Sequence, residues 1–270
     1  MARDENMDLF HGIEKFFQSI KDKCSNEEEY IAEILKARGF LLEDDRITLS
    51  DNSHRDDAVY LNKLLTEENI GKVKAGKIII FDGKNIENIF YKDSRIGGEA
   101  FCDGETWKKF VHNSFAPKIS LRWLEPFVGR YVKAISACGV ATWCSCDGNH
   151  PTEKKLQHIL INFVSEPNEL WHKIICKKLL VKNFNLKFIL NRRSLKFIFT
   201  KENKWDTYIN LNRVGEFLYN NRVKLRQIRR EASDGINLKD IKNLSAEELG
   251  KIFSERANKL LNATEFIFTH

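Results

Sequence analysis

The pattern of apolar positions predicts a strongly amphipathic helix near the middle of the chain. Apolar side chains recur at intervals of three and four residues at Leu124, Phe127, Val128, Tyr131, Val132 and Ile135. This spacing places them on one face of a helix and leaves the opposite face polar. Pro126 is compatible with the first turn of such a helix, and Gly139 is typical of a residue that ends one.

Two β-hairpins are predicted after this helix. In the first, residues 140–146 and 156–164 have the pattern of strands around a turn that begins at Asp147. In the second, residues 186–190 and 195–200 flank the turn 191–194. Because both units are antiparallel, the sequence predicts an antiparallel sheet built from them.

Helices are predicted between and after the hairpins. Ser165 is placed to cap one helix, and a long helix is predicted from residue 206 or 207 through 230. Ser245 has the spacing of a capping box for the last helix. Residues 265–269 are predicted to close the chain as a short strand.

The first part of the chain is predicted to be mainly helical with one short hairpin. Apolar residues recur at helical spacing over 10–20. Ser25 and Glu28 have the spacing of a capping box for a second helix, which Gly39 ends. Residues 77–81 are typical of a buried strand, and residues 86–91 are predicted to return as its partner. Shorter elements are predicted as a strand over 47–49 and helices over 56–65 and 107–111.

Together these elements predict an α+β protein in which helices cover an antiparallel sheet of two hairpins. The mainly helical part with its short hairpin precedes this unit. The pattern lapses around residues 114–120, where Pro117 lies. We therefore place a boundary there, between an N-terminal part (residues 1–115) and a C-terminal domain (residues 121–270).

The composition is that of a folded protein and excludes several other classes. The 270 residues are 42% hydrophobic and 30% charged, which is too apolar for a disordered chain. No apolar run reaches the roughly 18–20 residues that span a membrane, and the start of the chain lacks the apolar segment of a signal peptide. Six Cys in this length form no disulfide framework, so we expect a cytoplasmic protein with reduced thiols. Abundant Lys, Asn, Ile and Phe, which have A/T-rich codons, indicate a bacterial, phage or mobile-element gene.

The net charge of +6 conceals an asymmetry along the chain. Residues 1–120 carry a net charge of −5, and residues 121–270 carry +11. Within the second part, residues 172–230 hold 16 basic and three acidic side chains, a net charge of +13. Such a field attracts polyanions, and nucleic acid is the commonest of them. The leading hypothesis is therefore a nucleic-acid-binding protein.

The predicted phosphate contacts come from one basic hairpin and two basic helices. Many of them are arginines, whose planar guanidinium suits bidentate contact with phosphate. The predicted set is Lys173 and Lys177 on the first of these helices, Lys187, Arg192, Arg193 and Lys196 on the hairpin, and Arg222, Arg226, Arg229 and Arg230 on the long helix. Among the interleaved aromatic residues, Trp205 and Tyr219 are predicted to stack on bases.

A second candidate site lies at the tip of the first hairpin. Cys144, Cys146, Asp147 and His150 fall within seven residues, and strand alternation places the two thiols on one face. A thiol served by His150 is the arrangement of a nucleophilic enzyme. This group supports an enzyme, either a nuclease or a nucleotide- or RNA-modifying protein, as an alternative function.

The same turn supports zinc as a candidate cofactor, because thiolate and imidazole are ligands that zinc prefers. Two further ligands are predicted one turn apart on the following helix. The candidate metal ligands are Cys144, Cys146, His150, His172 and Cys176.

No standard catalytic motif decides between these functions. The sequence contains no phosphate-binding loop, dinucleotide fingerprint, zinc-protease motif or nucleophile elbow. Asp82, Lys84 and Glu87 follow a predicted strand and could form a metal-dependent nuclease centre. A similar acidic cluster comprises Glu99, Asp103 and Glu105. A third alternative is a module whose basic face binds an acidic protein surface.

Overall fold

The computed structural model describes residues 2–43, 47–91, 107–112, 118–148 and 157–268. It confirms the α+β class, with two antiparallel sheets of two and four strands. The first part contains α1 (Ala2–Lys21), α2 (Glu27–Arg38), α3 (Arg55–Glu67), β1 (Gly71–Lys74), β2 (Lys77–Ile80), a 3-10 turn (Ile86–Phe90) and α4 (Trp107–His112).

The second part follows the predicted order of helix, hairpin, helix, hairpin and helix. It contains a 3-10 turn (Leu121–Trp123), α5 (Gly129–Ala137), β3 (Thr142–Cys146), β4 (Gln157–Phe163), α6 (Glu166–Ile175), a π-helical turn (Cys176–Leu180), α7 (Val181–Asn183), β5 (Phe188–Asn191), β6 (Ser194–Phe199), α8 (Lys204–Asn220), α9 (Arg222–Ser233), α10 (Leu238–Asn243) and α11 (Ala246–Asn262).

Helix α2 starts one residue later than the predicted capping box. The side chain of Asn26 accepts a hydrogen bond from the backbone N–H of Glu29 at 2.9 Å. Ser25 contributes its own backbone N–H, which donates to the Glu29 carboxylate at 2.6 Å. The other end is as predicted, because Gly39 adopts a left-handed φ of 106° and ends the helix.

The partner of the short strand β2 differs from the prediction. β2 pairs with β1, which precedes it, across a turn in which Ala75 and Gly76 have φ of 50° and 77°. Residues 86–91 form a 3-10 turn and not a return strand. Its buried residues Ile86, Ile89 and Phe90 are three and four apart, which is helical spacing. The predicted strand over 47–49 forms only isolated bridges.

The four-stranded sheet joins the two predicted hairpins side by side in the order β3-β4-β6-β5. One face, which we call the covered face, is formed by the buried residues Ile159, Ile161, Phe163, Leu195, Phe197 and Phe199. Helix α5 covers it through Tyr131, whose ring centroid lies 5.2 Å from that of Phe197. Helix α6 covers it through His172, whose ring lies 4.9 Å from that of Phe163. The strands therefore alternate between a face packed on helices and an opposite face.

Two helical predictions were wrong in detail. The central helix begins at Gly129, because residues 121–128 form a 3-10 turn and an irregular segment. The long helix ends after Asn220, and α9 begins at Arg222. At the break, the side chain of Asn221 donates to the carbonyl of Ile267 at 2.8 Å and accepts from its N–H at 2.9 Å. The described end of the chain lies against this side chain and does not form the predicted strand.

Packing of the described residues is continuous across the boundary predicted at 114–120. Phe127 contacts Phe16 and Phe90 of the N-terminal part, with ring centroids 5.4 and 5.5 Å apart. Asp57 of α3 and Lys133 of α5 form a buried ion pair at 2.6 Å. The division into two parts stays a prediction that rests on charge, while both parts contribute to one hydrophobic core.

Candidate nucleic-acid interface

The face of the four-stranded sheet opposite the helices, which we call the outer face, is formed by the alternate strand residues. These are Trp143, Cys144, Cys146, His158, Leu160, Asn162, Lys187, Ile189, Asn191, Ser194, Lys196 and Ile198. Lys196 lies at its centre, opposite Leu160 on β4 and Ile189 on β5. Ile189 lies on the edge strand β5 and is 48% exposed.

An irregularity in β3 places an indole on this face. Thr142 pairs with Phe163 and Ser145 pairs with Ile161, so β3 holds one more residue than β4 between these pairs. This is a β-bulge, and it sets Trp143 and Cys144 together opposite Asn162. The amide of Asn162 donates to the Cys144 thiol at 2.8 Å. The Trp143 side chain is 48% exposed.

The outer face carries positive charge and apolar surface together. Lys187 is exposed and Lys196 is half-buried. None of the outer-face residues defined above is an Asp or a Glu. An anion that lies along β5 and β6 therefore meets two ammonium groups and no carboxylate of this set. The apolar neighbours Leu160, Ile189 and Ile198 supply a surface on which a flat ring can lie.

The predicted cations at the tip of the second hairpin are close to carboxylates. Arg192 lies 3.3 Å from the Glu166 carboxylate, and the backbone N–H of Arg193 donates to Glu169 at 2.8 Å. Both acids belong to the first turns of α6. The tip is thus exposed but partly neutralised, and its ion pair is the exposed kind that contributes little.

The prediction that Arg229 contacts phosphate is wrong, because its side chain is buried at 2% exposure. The guanidinium lies 4.1 Å above the Phe110 ring, and its Nη2 donates to the Phe110 carbonyl at 3.0 Å. It joins α9 to α4. Periodicity could have indicated this position, because Arg229 lies four residues after the buried Leu225 on the same helical face.

The remaining predicted cations of α6 and α9 lie on helices and not on the outer face. Arg222, the first residue of α9, stacks at 3.9 Å over Tyr219 of α8, so this predicted base-stacking ring is covered on one side by an arginine of the next helix. The other predicted ring, Trp205, packs edge-on against Phe127 at 5.4 Å. Arg230 is exposed and Arg226 is half-buried. Lys173 lies on α6 and Lys177 on the π-helical turn after it. Helix α6 packs against the covered face of the sheet, on the side opposite to the outer face.

The four described residues among the five predicted zinc ligands form two separate pairs. His172 and Cys176 contact each other at 3.5 Å, and both are buried against the covered face. Cys144 and Cys146 lie on the outer face, so the sheet separates the two pairs. Within the described ranges, no group of three or more His, Cys, Asp or Glu could hold a metal ion. His150 lies outside the described residues, and its part in a site with Cys144 and Cys146 stays a prediction.

Hydrogen bonds hold the turn at residues 146–148, at the tip of the first hairpin, and they are typical of a structural turn. The Cys146 thiol accepts from the N–H of Gly148 at 3.4 Å, and burial raises the pKa of this thiol to about 11. The backbone N–H of Asp147 donates to Glu125, and Tyr208 donates to the Asp147 carbonyl at 2.8 Å. A thiol with a raised pKa is a poor nucleophile at neutral pH, which weighs against Cys146 in that role.

The structure describes the first predicted acidic cluster, Asp82, Lys84 and Glu87, and not the second. Asp82 and Lys84 form a local turn in which the N–H of Lys84 donates to Asp82 at 3.0 Å. Glu87 accepts a hydrogen bond from the Tyr30 hydroxyl. The Tyr30 contact joins α2 to the 3-10 turn, and the carboxylates of Asp82 and Glu87 belong to no group of described residues that could hold a metal ion. The second predicted cluster, Glu99, Asp103 and Glu105, lies outside the described residues.

The buried His172 makes the fold sensitive to acid. Its Nε2 lies 2.6 Å from the Tyr131 hydroxyl, and burial lowers its pKa to about 3. The unfolded chain therefore binds one more proton than the folded one between about pH 6.5 and pH 3. We expect stability to fall as the pH falls through this window, by roughly 1.4 kcal/mol for each pH unit.

Urea unfolding at several pH values measures this dependence. His172→Gln is expected to be less stable at neutral pH but to show a flatter dependence on pH. His112→Gln, at an exposed position, is the matched control and should keep the dependence of the natural protein. Equal slopes for the two variants would show that His172 does not cause the acid sensitivity.

Comparison of the chain with protein-family models, with curated proteins and with solved structures gives no match. Among the described residues, no helix is both long enough and apolar enough to cross a membrane. The site therefore has to be judged from its own geometry. The sequence did not predict two residues of this site. A bulge places Trp143 on the outer face, and Ile189 lies in a strand that has apolar residues on both faces.

Proposed function

We propose that this protein binds nucleic acid and that the outer face of its four-stranded sheet is the contact surface. The observation that carries the proposal is the combination of an exposed indole, the exposed Ile189 beside two half-buried aliphatic side chains, and two lysines, without a carboxylate in the defined set. Lysines attract the phosphates, and the indole and aliphatic groups take the flat faces of bases.

Single strands suit this surface better than a duplex. A duplex hides its base faces and is read through grooves by a helix or a β-ribbon. An open sheet presents a broad apolar surface, which requires bases that are unstacked and turned outward. Lys187 comes directly before β5, where its carbonyl pairs with Ile198 of β6, Lys196 lies on β6, and Trp143 lies on β3. A strand that crosses the sheet from β5 to β3 would meet the charges first and the indole last.

Titration of single-stranded DNA and RNA at several salt concentrations tests the proposal. Binding is expected to weaken linearly on a logarithmic salt scale. Lys187→Gln with Lys196→Gln should reduce that slope by about 1.4, because each phosphate contact to a single strand contributes about 0.7. Trp143→Ala should weaken binding by about 1–3 kcal/mol and leave the slope unchanged.

Two matched variants control for general charge and general hydrophobicity. Lys177→Gln with Lys178→Gln removes two exposed lysines that lie outside the outer face. Trp123→Ala removes another exposed indole, which is 37% exposed. Neither should change the affinity. Equal losses in these controls, or binding without salt dependence, would contradict the proposal. Salt-dependent self-association without nucleic acid would favour the alternative of an acidic protein partner.

A further inference from the structure

A cavity of about 280 Å³ lies between α5, α9 and the segment that leads to the Leu121–Trp123 turn. Its polar lining consists of Asn52, Lys118, Lys133, Ser136 and Arg226, and its apolar lining includes Leu41. Each charged residue in the described lining is a cation. The volume is near the lower end for ligand pockets, so it suits a small molecule.

The most deeply placed cation has hydrogen-bonding capacity left for a ligand. The Lys133 ammonium donates to Asp57 Oδ2 and to the carbonyl of Ile119, both at 2.6 Å. An ammonium carries three N–H groups, so one remains beyond these two contacts. Asp57 is itself occupied, because it also accepts from the backbone N–H groups of His54 and Leu121.

The other two cations lie at the same cavity from different elements. Lys118 is exposed and donates to the backbone carbonyl of Asp51. Burial lowers the pKa of Lys133, Asp57 opposes this, and repulsion from Lys118 adds to the lowering. Arg226 is half-buried on α9 and brings a planar guanidinium. Asp57 compensates the charge of Lys133, so Lys118 and Arg226 add two positive charges to the lining of this space, and both would attract a bound anion.

This cavity is separate from the outer face of the sheet. On α5, Tyr131 contacts the covered face, whereas Lys133 follows two residues later, about 200° around the helix. Lys133 and Ser136, three residues apart, share the side of the helix that faces the cavity. A ligand here is therefore held by the side of α5 that points away from the sheet.

We propose that this cavity binds a phosphate monoester. A doubly charged phosphate group matches the two charges of Lys118 and Arg226, Lys133 has an N–H group left to donate to it, and the hydroxyl of Ser136 and the amide of Asn52 supply polar contacts beside them. The apolar lining at Leu41 accommodates the part of the molecule that bears the phosphate. A mononucleotide and the phosphorylated end of a strand share this chemistry.

Binding of inorganic phosphate and of a nucleoside monophosphate to the full chain, measured by calorimetry, tests the site. The monophosphate should bind and the unphosphorylated nucleoside should not. Lys118→Gln with Arg226→Gln should weaken monophosphate binding about tenfold or more, since it removes two charge-assisted contacts. Arg230→Gln, at an exposed position on the same helix, is the matched control and should bind as the natural protein does.

Two further arms identify the source of the phosphate and separate this site from the outer face. Tighter binding of an oligonucleotide with a terminal phosphate than of the same oligonucleotide without it would support a strand end, because the outer face contacts both. Equal binding of these two oligonucleotides, together with binding of the monophosphate, would support a free small molecule. Lys196→Gln should leave monophosphate binding unchanged even where it weakens binding of strands. The proposal is overturned if chloride at equal ionic strength prevents phosphate binding fully, or if the Lys118/Arg226 variant binds normally.

Discussion

Replacement of Lys133 by methionine is expected to lower the free energy of unfolding by about 3–5 kcal/mol. The ammonium of Lys133 and the carboxylate of Asp57 are both buried, and their ion pair at 2.6 Å is shielded from water. Removing one partner leaves an uncompensated charge in the core. The pair also joins α3 to α5, so its loss weakens contact between the N-terminal and C-terminal parts.

Urea unfolding of a double-mutant cycle measures this effect. Asp57→Asn should lower the free energy of unfolding less in the Lys133→Met background than in the natural protein. In that background the buried carboxylate has already lost its partner, and Asp57→Asn removes the unpaired charge. Lys63→Met removes an exposed lysine of α3 whose ion pair with Glu67 spans 3.7 Å, and it should change stability by less than about 1 kcal/mol. Additive effects of Lys133→Met and Asp57→Asn would contradict a coupled pair.

Replacement of Gly39 by alanine is expected to destabilise the fold by several kcal/mol, clearly more than Gly76→Ala. Both glycines have positive φ, 106° and 77°, so both substitutions carry the cost of about 1–2 kcal/mol for a left-handed residue. The two positions differ in the space available for a Cβ atom. A Cβ at Gly39 would lie 2.7 Å from the backbone carbon of Gly129, whereas a Cβ at Gly76 meets nothing within 4 Å.

The difference between these two variants isolates the close approach of α2 and α5. Backbone atoms at such a distance must move apart, which typically costs a further 1–3 kcal/mol in a packed core. Thermal and urea unfolding of both variants measures the difference. Gly129→Ala should show the steric cost without the cost of a left-handed residue, since its Cβ would lie 2.4 Å from the carbonyl oxygen of Arg38 and its φ is not positive. Equal stability of the Gly39 and Gly76 variants would exclude the steric contact.

The sequence pattern predicted most of the second part, because amphipathic strands and helices there bury one face each. It failed where a different packing partner decided the element. Residues 86–91 have strand-like composition, yet the helical spacing of Ile86, Ile89 and Phe90 buries them in a 3-10 turn. The break in the long helix at Asn221 depends on Ile267, 46 residues away, and no local pattern reports such a contact.

The candidate site was predicted only in part, because net charge along a sequence does not tell which side of an element a residue occupies. Arg229 counted toward the charge of residues 172–230, yet it is buried over Phe110. Lys187 and Lys196 were predicted and lie on the outer face. Trp143 reaches that face through an extra residue in β3, and strict alternation cannot anticipate a bulge.

The side-chain amide of Asn221 pairs with the backbone of Ile267 as a peptide group of a neighbouring segment would. The amide presents a donor and an acceptor side by side, and Ile267 uses both, as it would use one residue of a neighbouring strand. Aspartate could imitate only the acceptor and leucine neither group. The last described segment of the chain is thus anchored at the junction of α8 and α9 by Asn221, with a further contact from Lys224 to the Glu265 carbonyl at 2.7 Å, so its position depends on that junction.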